Sequence, residues 1–319
     1  MFPHKIHSGA SGILTYGITP PKSDTAPDRI TEIAAKTISR ITHLDLDALV
    51  VYDVQDESAR NATDRPFPFR RALDPLHFTT NYLSELDLPK ILYRPAGNFT
   101  PDELSCWLEA VHQQRFHPVL VGKPSPGSPV KTSLEDAYRL WQPYADTTVL
   151  GAVTIPERHA RLQDEDSRML QKAAGGVSFF VSQCVFNLDY AKQMTAALWR
   201  TCRRENRRMP TLLFTLTACG SAQTLSFMEW LGIHVPEKLK TQLLQADDML
   251  QESVDFCLNT ARALAKFCAA GEVPFGFNIE SVAIRKTEIE ASIEMVDKIG
   301  LMLQELGLRR QTSNTMMAT

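Results

Sequence analysis

The sequence predicts an α/β protein of the (β/α)8 barrel class, with an extra helix inserted between the seventh and eighth strands. Three observations predict it. Eight short apolar, β-rich runs recur along the chain, helical patterns lie between them, and 319 residues suit one such domain. Short continuous apolar runs fit strands buried on both faces. Regular alternation of strand and helix is the mark of a parallel sheet that closes on itself. A single domain spanning 1–319 is expected.

The runs are "ILTYGIT" (13–19), "ALVVYDV" (48–54), "KILYRP" (90–95), "PVLVGK" (118–123), "TVLGAVTIP" (148–156), "FFVSQCVF" (179–186), "TLLFTLT" (211–217) and "FGFNIE" (275–280). After the first strand, apolar residues at 30, 33, 34, 38 and 41 make a helical stripe from Arg29 to Thr42. After the third, "TPDELSCWLEAVHQQ" opens with Thr100 at the N-cap, Pro101 at the first helical position and Glu103 three residues on, the pattern of a capping box. After the fourth, "SLEDAYRLW" begins at Ser133 with a similar cap and an acidic first turn. Two helices, about 221–232 and 236–270, are expected between the last two strands, widening one side of the mouth. The loop 55–71 is long and polar, a length at which loops often carry function, and 310–319 reads as frayed.

Composition excludes several classes. Lys and Arg (34) fall below Asp and Glu (37), which opposes a phosphate-backbone surface, so no nucleic-acid partner is expected. The six cysteines contain no CxxC pair, so neither a zinc knuckle nor a redox dithiol is signalled, and no metal is expected. The N-terminus lacks an apolar secretory core and no run of 18 apolar residues occurs. A reduced, cytoplasmic chain without a membrane partner is the expectation. A homo-oligomer is compatible with the sequence.

In a barrel the C-terminal strand ends face the active site. The residues there include Tyr16, Asp53, Tyr93, Lys123, Thr154, Glu157, His159, Gln183, Asn278 and Glu280. The first strand ends oddly, in "LTYGITPPK": two prolines stop it, and Gly17 stands where a mouth-facing side chain belongs. Glycine there is either a backbone device or the loss of a functional group. Asp53 and Asp56 are either an acid/base pair or caps of their loop. The arginines between 200 and 208 read as a solvated helix end, and the aromatic residues of 221–232 as core.

The segments "TIPERH", "AAGGVSFFVSQCVFN" and "FGFNIES", with "ITPPK", "TPDEL" and "GIHVPEKL" in the same order, resemble the methylenetetrahydrofolate reductases over most of the chain. That resemblance implies a flavin-containing barrel that reduces a folate-bound methylene group with NAD(P)H. It implies FAD as cofactor, a tetrahydrofolate derivative as substrate and a folate-like small molecule as partner. It puts Gln183, Asn278 and Tyr93 against the substrate, and Lys172, Glu165 and His159 against the flavin. The chain also departs from the pattern. The family's first-strand Glu, its proton donor, is Gly17 here. The fourth-strand Asp is Lys123, the third-strand His is Tyr93, the fifth-strand Tyr is Ile155, and the aromatic residue after the seventh strand is Ser221. Glycine carries no proton, so general-acid work falls to another group, with Lys123, Asp53 and Glu280 as catalytic candidates. The expectation is therefore a divergent, folate-dependent one-carbon oxidoreductase. The alternatives are a flavin-free, demethylase-type methyl-transfer enzyme and a non-catalytic barrel that binds a folate or a protein partner.

Overall fold

The structure, a computed structural model, describes residues 2–56, 63–122, 129–283 and 285–310. Its strands are β1 (Ile13–Ile18), β2 (Ala48–Val51), β3 (Lys90–Pro95), β4 (His117–Val121), β5 (Leu150–Thr154), β6 (Val177–Cys184), β7 (Thr211–Thr217) and β8 (Phe275–Glu280). They pair in chain order, all parallel, and β8 returns to β1 to close the barrel. The outer layer holds α2 (Pro27–Ile41), α3 (Pro75–Tyr82), α4 (Pro101–Gln113), α5 (Leu134–Trp141), α6 (Pro156–Leu162), α7 (Glu165–Ala174), α8 (Leu188–Arg204) and α12 (Lys286–Glu305). The caps work as their sequences indicate. Thr100 and Glu103 form a reciprocal capping box, and Ser133 accepts from the Asp136 N–H.

Two features differ from the sequence expectation. The insertion after β7 is three helices rather than two: α9 (Ala222–Trp230), α10 (Glu237–Gln245) and α11 (Met249–Ala270). The break falls at 246–248, where Asp248 leaves helical geometry and its side chain accepts from the Gln251 N–H at 3.0 Å, an N-cap that starts a new helix. A short N-terminal helix, α1 (Phe2–Ser8), was not anticipated.

That helix plugs the bottom of the barrel. Phe2 is fully buried and meets Phe179 edge to face at 5.4 Å. Phe2, Ile6, Ile13, Val50, Ile91, Val119, Phe179 and Leu213 fill the barrel interior. Gly151 makes room for one of them, since a Cβ there would lie 2.4 Å from the Phe179 ring. Around this floor runs an ion network. Arg309 donates to Asp45 (2.8 Å) and Asp47 (2.6 Å), and Asp47 also receives Lys5 (2.5 Å) and the Leu14 N–H.

At the other end the two prolines have a clear role. Pro20 and Pro21 are buried, and the chain turns from the sheet to pair with the segment before α3, through the Lys22–Ala72 bridge and the Leu73 N–H to Pro21 O bond. The stretch 63–71 then crosses to the insertion. The Arg65 guanidinium lies 4.6 Å from the Phe227 ring centroid, Phe67 meets Phe227 edge-on, and the Trp230 indole donates to Thr63 O. Among the described residues no helix is long and apolar enough to cross a membrane.

Candidate functional site

The mouth is built in layers that the β1–β8 register sets. Thr15 lies beside Asn278, and two residues on, Gly17 lies beside Glu280. Residues two apart on a strand share a face, so both pairs belong to the interior. In the lower layer the Thr15 hydroxyl donates to Asn278 Oδ1 at 2.9 Å. The Asn278 amide donates to the Tyr52 oxygen at 2.7 Å and to the Thr215 oxygen at 3.3 Å. Both donors and the acceptor of that amide are engaged, and Asn278 is wholly buried. Asn278, expected against the substrate, lies in this lower layer and fixes Tyr52.

In the upper layer the space at Gly17 is taken. A Cβ on Gly17 would lie 2.8 Å from Tyr52 Cε2, 3.0 Å from its hydroxyl and 3.2 Å from Glu280 Cβ. The glycine is a close-approach device, and its register partner on the adjacent strand, Glu280, stands beside it. The Cys184 thiol donates to Glu280 Oε1 at 3.3 Å. Burial raises the Glu280 pKa, and the polar groups of Tyr52, Cys184 and Asn278 near it only partly offset this. Burial also holds the Tyr52, Tyr93 and Cys184 protons on well above their ordinary values. The Tyr52 and Tyr93 rings meet at 4.8 Å and 65°, an apolar wall below the mouth.

Cys184 reaches this site through an irregularity. From Val181 to Cys184, β6 advances three residues while β7 advances two, Leu213 to Thr215. An extra residue of this kind re-aims the side chains that follow. Gln183, at the same strand end, is half-buried and donates to Leu231 O at 3.3 Å, which ties β6 to the loop after α9. In the first turn of α6 stands Glu157, close to the His234 backbone. Burial moves its pKa up to about 7, and its buried Oε2 has no hydrogen-bond partner among the described residues.

The remaining candidates fall elsewhere. Asp53 closes the gap between β2 and β3. It pairs with Arg94 at 3.2 Å and accepts from Gln55, while Arg94 also binds Asp74 at 2.6 Å and lies over the Phe99 ring. This network fits the loop-capping reading of Asp53 better than free acid/base work. Lys123 lies outside the described residues. Tyr16 faces away from the mouth, its hydroxyl 2.8 Å from Ser292 Oγ under α12. Thr154 faces outward too, donating to Glu165. Ser221, in the place of the family's aromatic residue, caps α9.

Lys172, Glu165 and His159 test whether a flavin fits. All three sit behind β5 in the helix layer. Fully buried Glu165 accepts from Thr154, from the Ile155 N–H and from Arg158, bracing β5 against α6 and α7. Lys172 donates to Val153 O at 2.7 Å, and burial lowers its pKa to about 8. His159 is buried, its Nδ1 3.9 Å from Asp166. Lys172 also lines a groove of about 590 Å3 between α5 and α7 with Arg139 and Arg168, but those arginines pair with Glu135, Asp136 and Glu165. As placed here, the three residues brace the scaffold behind β5 rather than cradle a flavin.

The candidates missed from sequence are Tyr52 and Cys184. Alternation along β2 contained the first signal: Ala48 and Val50 face inward, so Tyr52 is the next inward position. Nothing in the sequence marks the extra residue that brings in Cys184.

No protein-family model and no curated protein matches the chain. Among solved structures, the chain is similar to a protein from Clostridium thermocellum described as binding two copies of 5-methyl-5,6,7,8-tetrahydrofolic acid. The match has 39% identity and a TM-score of 0.83, over 94% of this chain and 99% of that one. Two others are remote. The 2,3-dimethylmalate lyase of the PEP mutase/isocitrate lyase superfamily shares 10% identity over 95% and 96% of the two chains, with a TM-score of 0.42. Oxaloacetate acetylhydrolase shares 13% over 97% and 87%, with a TM-score of 0.48. Neither bears on chemistry. The full-length match at 39% identity is different in kind: this chain belongs to the same family of (β/α)8 barrels as the Clostridium thermocellum protein.

Proposed function

We propose that this barrel binds a reduced folate with the pterin ring in its C-terminal mouth, and that it acts on the one-carbon unit carried there. The observation that carries the reading is the full-length relationship to a protein described as binding 5-methyltetrahydrofolic acid. The mouth suits such a ligand chemically. Tyr52 and Tyr93 offer an aromatic wall, and Glu280, Glu157 and Gln183 offer polar partners for the nitrogen-rich edge of a pterin. Apolar walls with a few placed polar groups are the usual make-up of a small-molecule site.

Two chemistries follow from the family resemblance. A methylenetetrahydrofolate reductase-like reaction requires FAD and NAD(P)H. A flavin-free methyl transfer requires neither. The engagement of Lys172 with Val153 O and of Glu165 with β5 favours the second. Titration calorimetry with 5-methyltetrahydrofolate tests the binding, and absence of heat at ligand concentrations up to millimolar rejects it. A visible spectrum of the purified protein, with NADH oxidation on methylenetetrahydrofolate, separates the chemistries. A yellow, NADH-oxidising protein restores the reductase reading. Replacing Gln183 by Ala is expected to weaken the folate by about 1–3 kcal/mol, the usual effect of leaving a polar partner unpaired.

A further inference from the structure

We infer that Glu280 is the proton-carrying group of the folate site, filling from β8 the role that Gly17 cannot fill from β1. The inference rests on the folate reading above and adds the residue and the atom to it. Three geometric facts support it. Glu280 and Gly17 are register partners on adjacent strands, so a carboxyl on either enters the mouth at the same level. The Gly17 side of that layer is closed by the Tyr52 ring, which leaves the β8 side to present the acid. The hydrogen bonds below lead up to it: Thr15 donates to Asn278, and Asn278 donates to the Tyr52 oxygen, whose ring packs against the Glu280 layer at Gly17. The Cys184 thiol of β6 donates to Glu280 itself.

The groups that face it are neutral or acidic. Tyr52 comes from the residue just after β2, Tyr93 from β3 and Cys184 from β6, with Glu157 of α6 acting on Cys184 and Tyr16 behind on β1. Among the described residues no cation acts on Glu280. A carboxyl in such surroundings keeps its proton to higher pH than usual, which suits a donor working near neutrality.

The step is a single proton transfer. The O–H bond of the Glu280 carboxyl breaks, and the lone pair of the pterin N5 takes the proton to form an N–H bond. The carboxylate left behind is held by the Cys184 thiol, with the polar group of Tyr52 near it. A protonated N5 is a better leaving group for its methyl substituent than a neutral one. Glu280 is the group in contact with the ligand in this proposal, and Asn278 and Tyr52 position it.

The test is the pH dependence of 5-methyltetrahydrofolate binding, read by calorimetry and by the ultraviolet spectrum of the bound pterin. The wild-type complex holds one shared proton. Once free Glu280 ionises, binding must take that proton from solvent, and affinity is expected to fall about tenfold per pH unit. Glu280→Gln, nearly isosteric, is expected to bind with no slope in that range and to leave the spectrum of the bound ligand unprotonated. Tyr52→Phe keeps the ring that fills the Gly17 space and is expected to shift the midpoint of the slope without abolishing it. An unchanged slope in Glu280→Gln overturns the inference. So does a slope that survives there and disappears in Glu157→Gln, which assigns the proton to Glu157. Absence of binding by the wild-type protein overturns the folate reading itself, and this inference with it.

Discussion

At the end of the barrel where the strands begin, charge meets opposite charge. Asp47 receives Lys5, Arg309 and the Leu14 N–H, and Arg309 also holds Asp45. At the end where the strands finish, Glu280 among the described residues accepts from the neutral Cys184 thiol, and one buried oxygen of Glu157 accepts from none. The floor is also sealed by Phe2 against Phe179, whereas the layer at Gly17 is filled only as far as Tyr52. The difference shows how a barrel divides its tasks. Paired charges and a packed plug hold the closed sheet together at the floor, whereas at the mouth Glu280 and Glu157 lack such pairing among the described residues.

The strongest way to break this comparison is at Arg309. Replacing it by Ala leaves Asp45 and Asp47 without their shared cation. It is expected to reduce stability by about 3–5 kcal/mol in urea unfolding at neutral pH, with affinity for the proposed folate ligand per folded molecule unchanged. A loss under about 1 kcal/mol would mean that the floor is not held by its ions.

The two ends are also expected to respond to pH in opposite directions. His117 lies on the floor against Phe2, and burial lowers its pKa from 6.5 to about 4. The unfolded chain binds that proton first as pH falls. The contribution of neutral His117, about 3 kcal/mol, is therefore complete above pH 6.5 and is lost as pH falls toward 4. Denaturant titrations across that range check it, and His117→Gln is expected to flatten the profile.

A smaller effect is expected at Gly17. Gly17→Ala drives a methyl into Tyr52 and the Glu280 stem, and about 1–3 kcal/mol of destabilisation follows. Gly17→Glu meets the same obstacle. It is expected to unfold more readily and to gain no reductase activity, because Tyr52 and Glu280 occupy the space a side chain there needs. Activity gained in that variant, measured as NADH oxidation, would show that the mouth can still be rebuilt.

The smallest change is at Glu157. Its folded pKa is raised from 4.5 to about 7, so the folded state binds the proton more tightly than the unfolded chain. That contribution is complete below pH 4.5 and is lost as pH rises through 7. Because the side chain is only partly buried, Glu157→Gln is expected to be more stable than wild type by roughly 1–2 kcal/mol at pH 8 and about equal to it at pH 4. Equal profiles would place Glu157 with the compensated charges of the floor.

Much of the scaffold was legible in the sequence because it rests on local rules. Alternating apolar runs and helical stripes gave eight strands in order, and Thr100, Ser133 and Pro101 marked helix starts through hydrogen bonds within one turn. That Gly17 offers no side chain to the mouth was equally visible, with the choice between a backbone device and an absent acid open at the level of sequence. Asp248 was harder. Its cap is local, but "LLQADDML" continues an apolar pattern that hides the break between α10 and α11.

Only the tertiary structure decided what Gly17 means. Residues 17 and 280 are neighbours because the barrel closes β8 onto β1, and no local pattern encodes that closure. The same holds for Tyr52, which reaches the Gly17 space from the next strand, and for Cys184, which an extra residue in β6 aims at Glu280. Lys172 and Glu165 make the opposite case. In sequence they resemble a cofactor site, and in three dimensions they face the back of β5, where a buried carboxylate and a buried ammonium must satisfy the backbone and side chains around them. Residue type and spacing determine which groups a chain possesses. Strand closure and register determine which of them share a cavity, because those contacts join residues hundreds of positions apart.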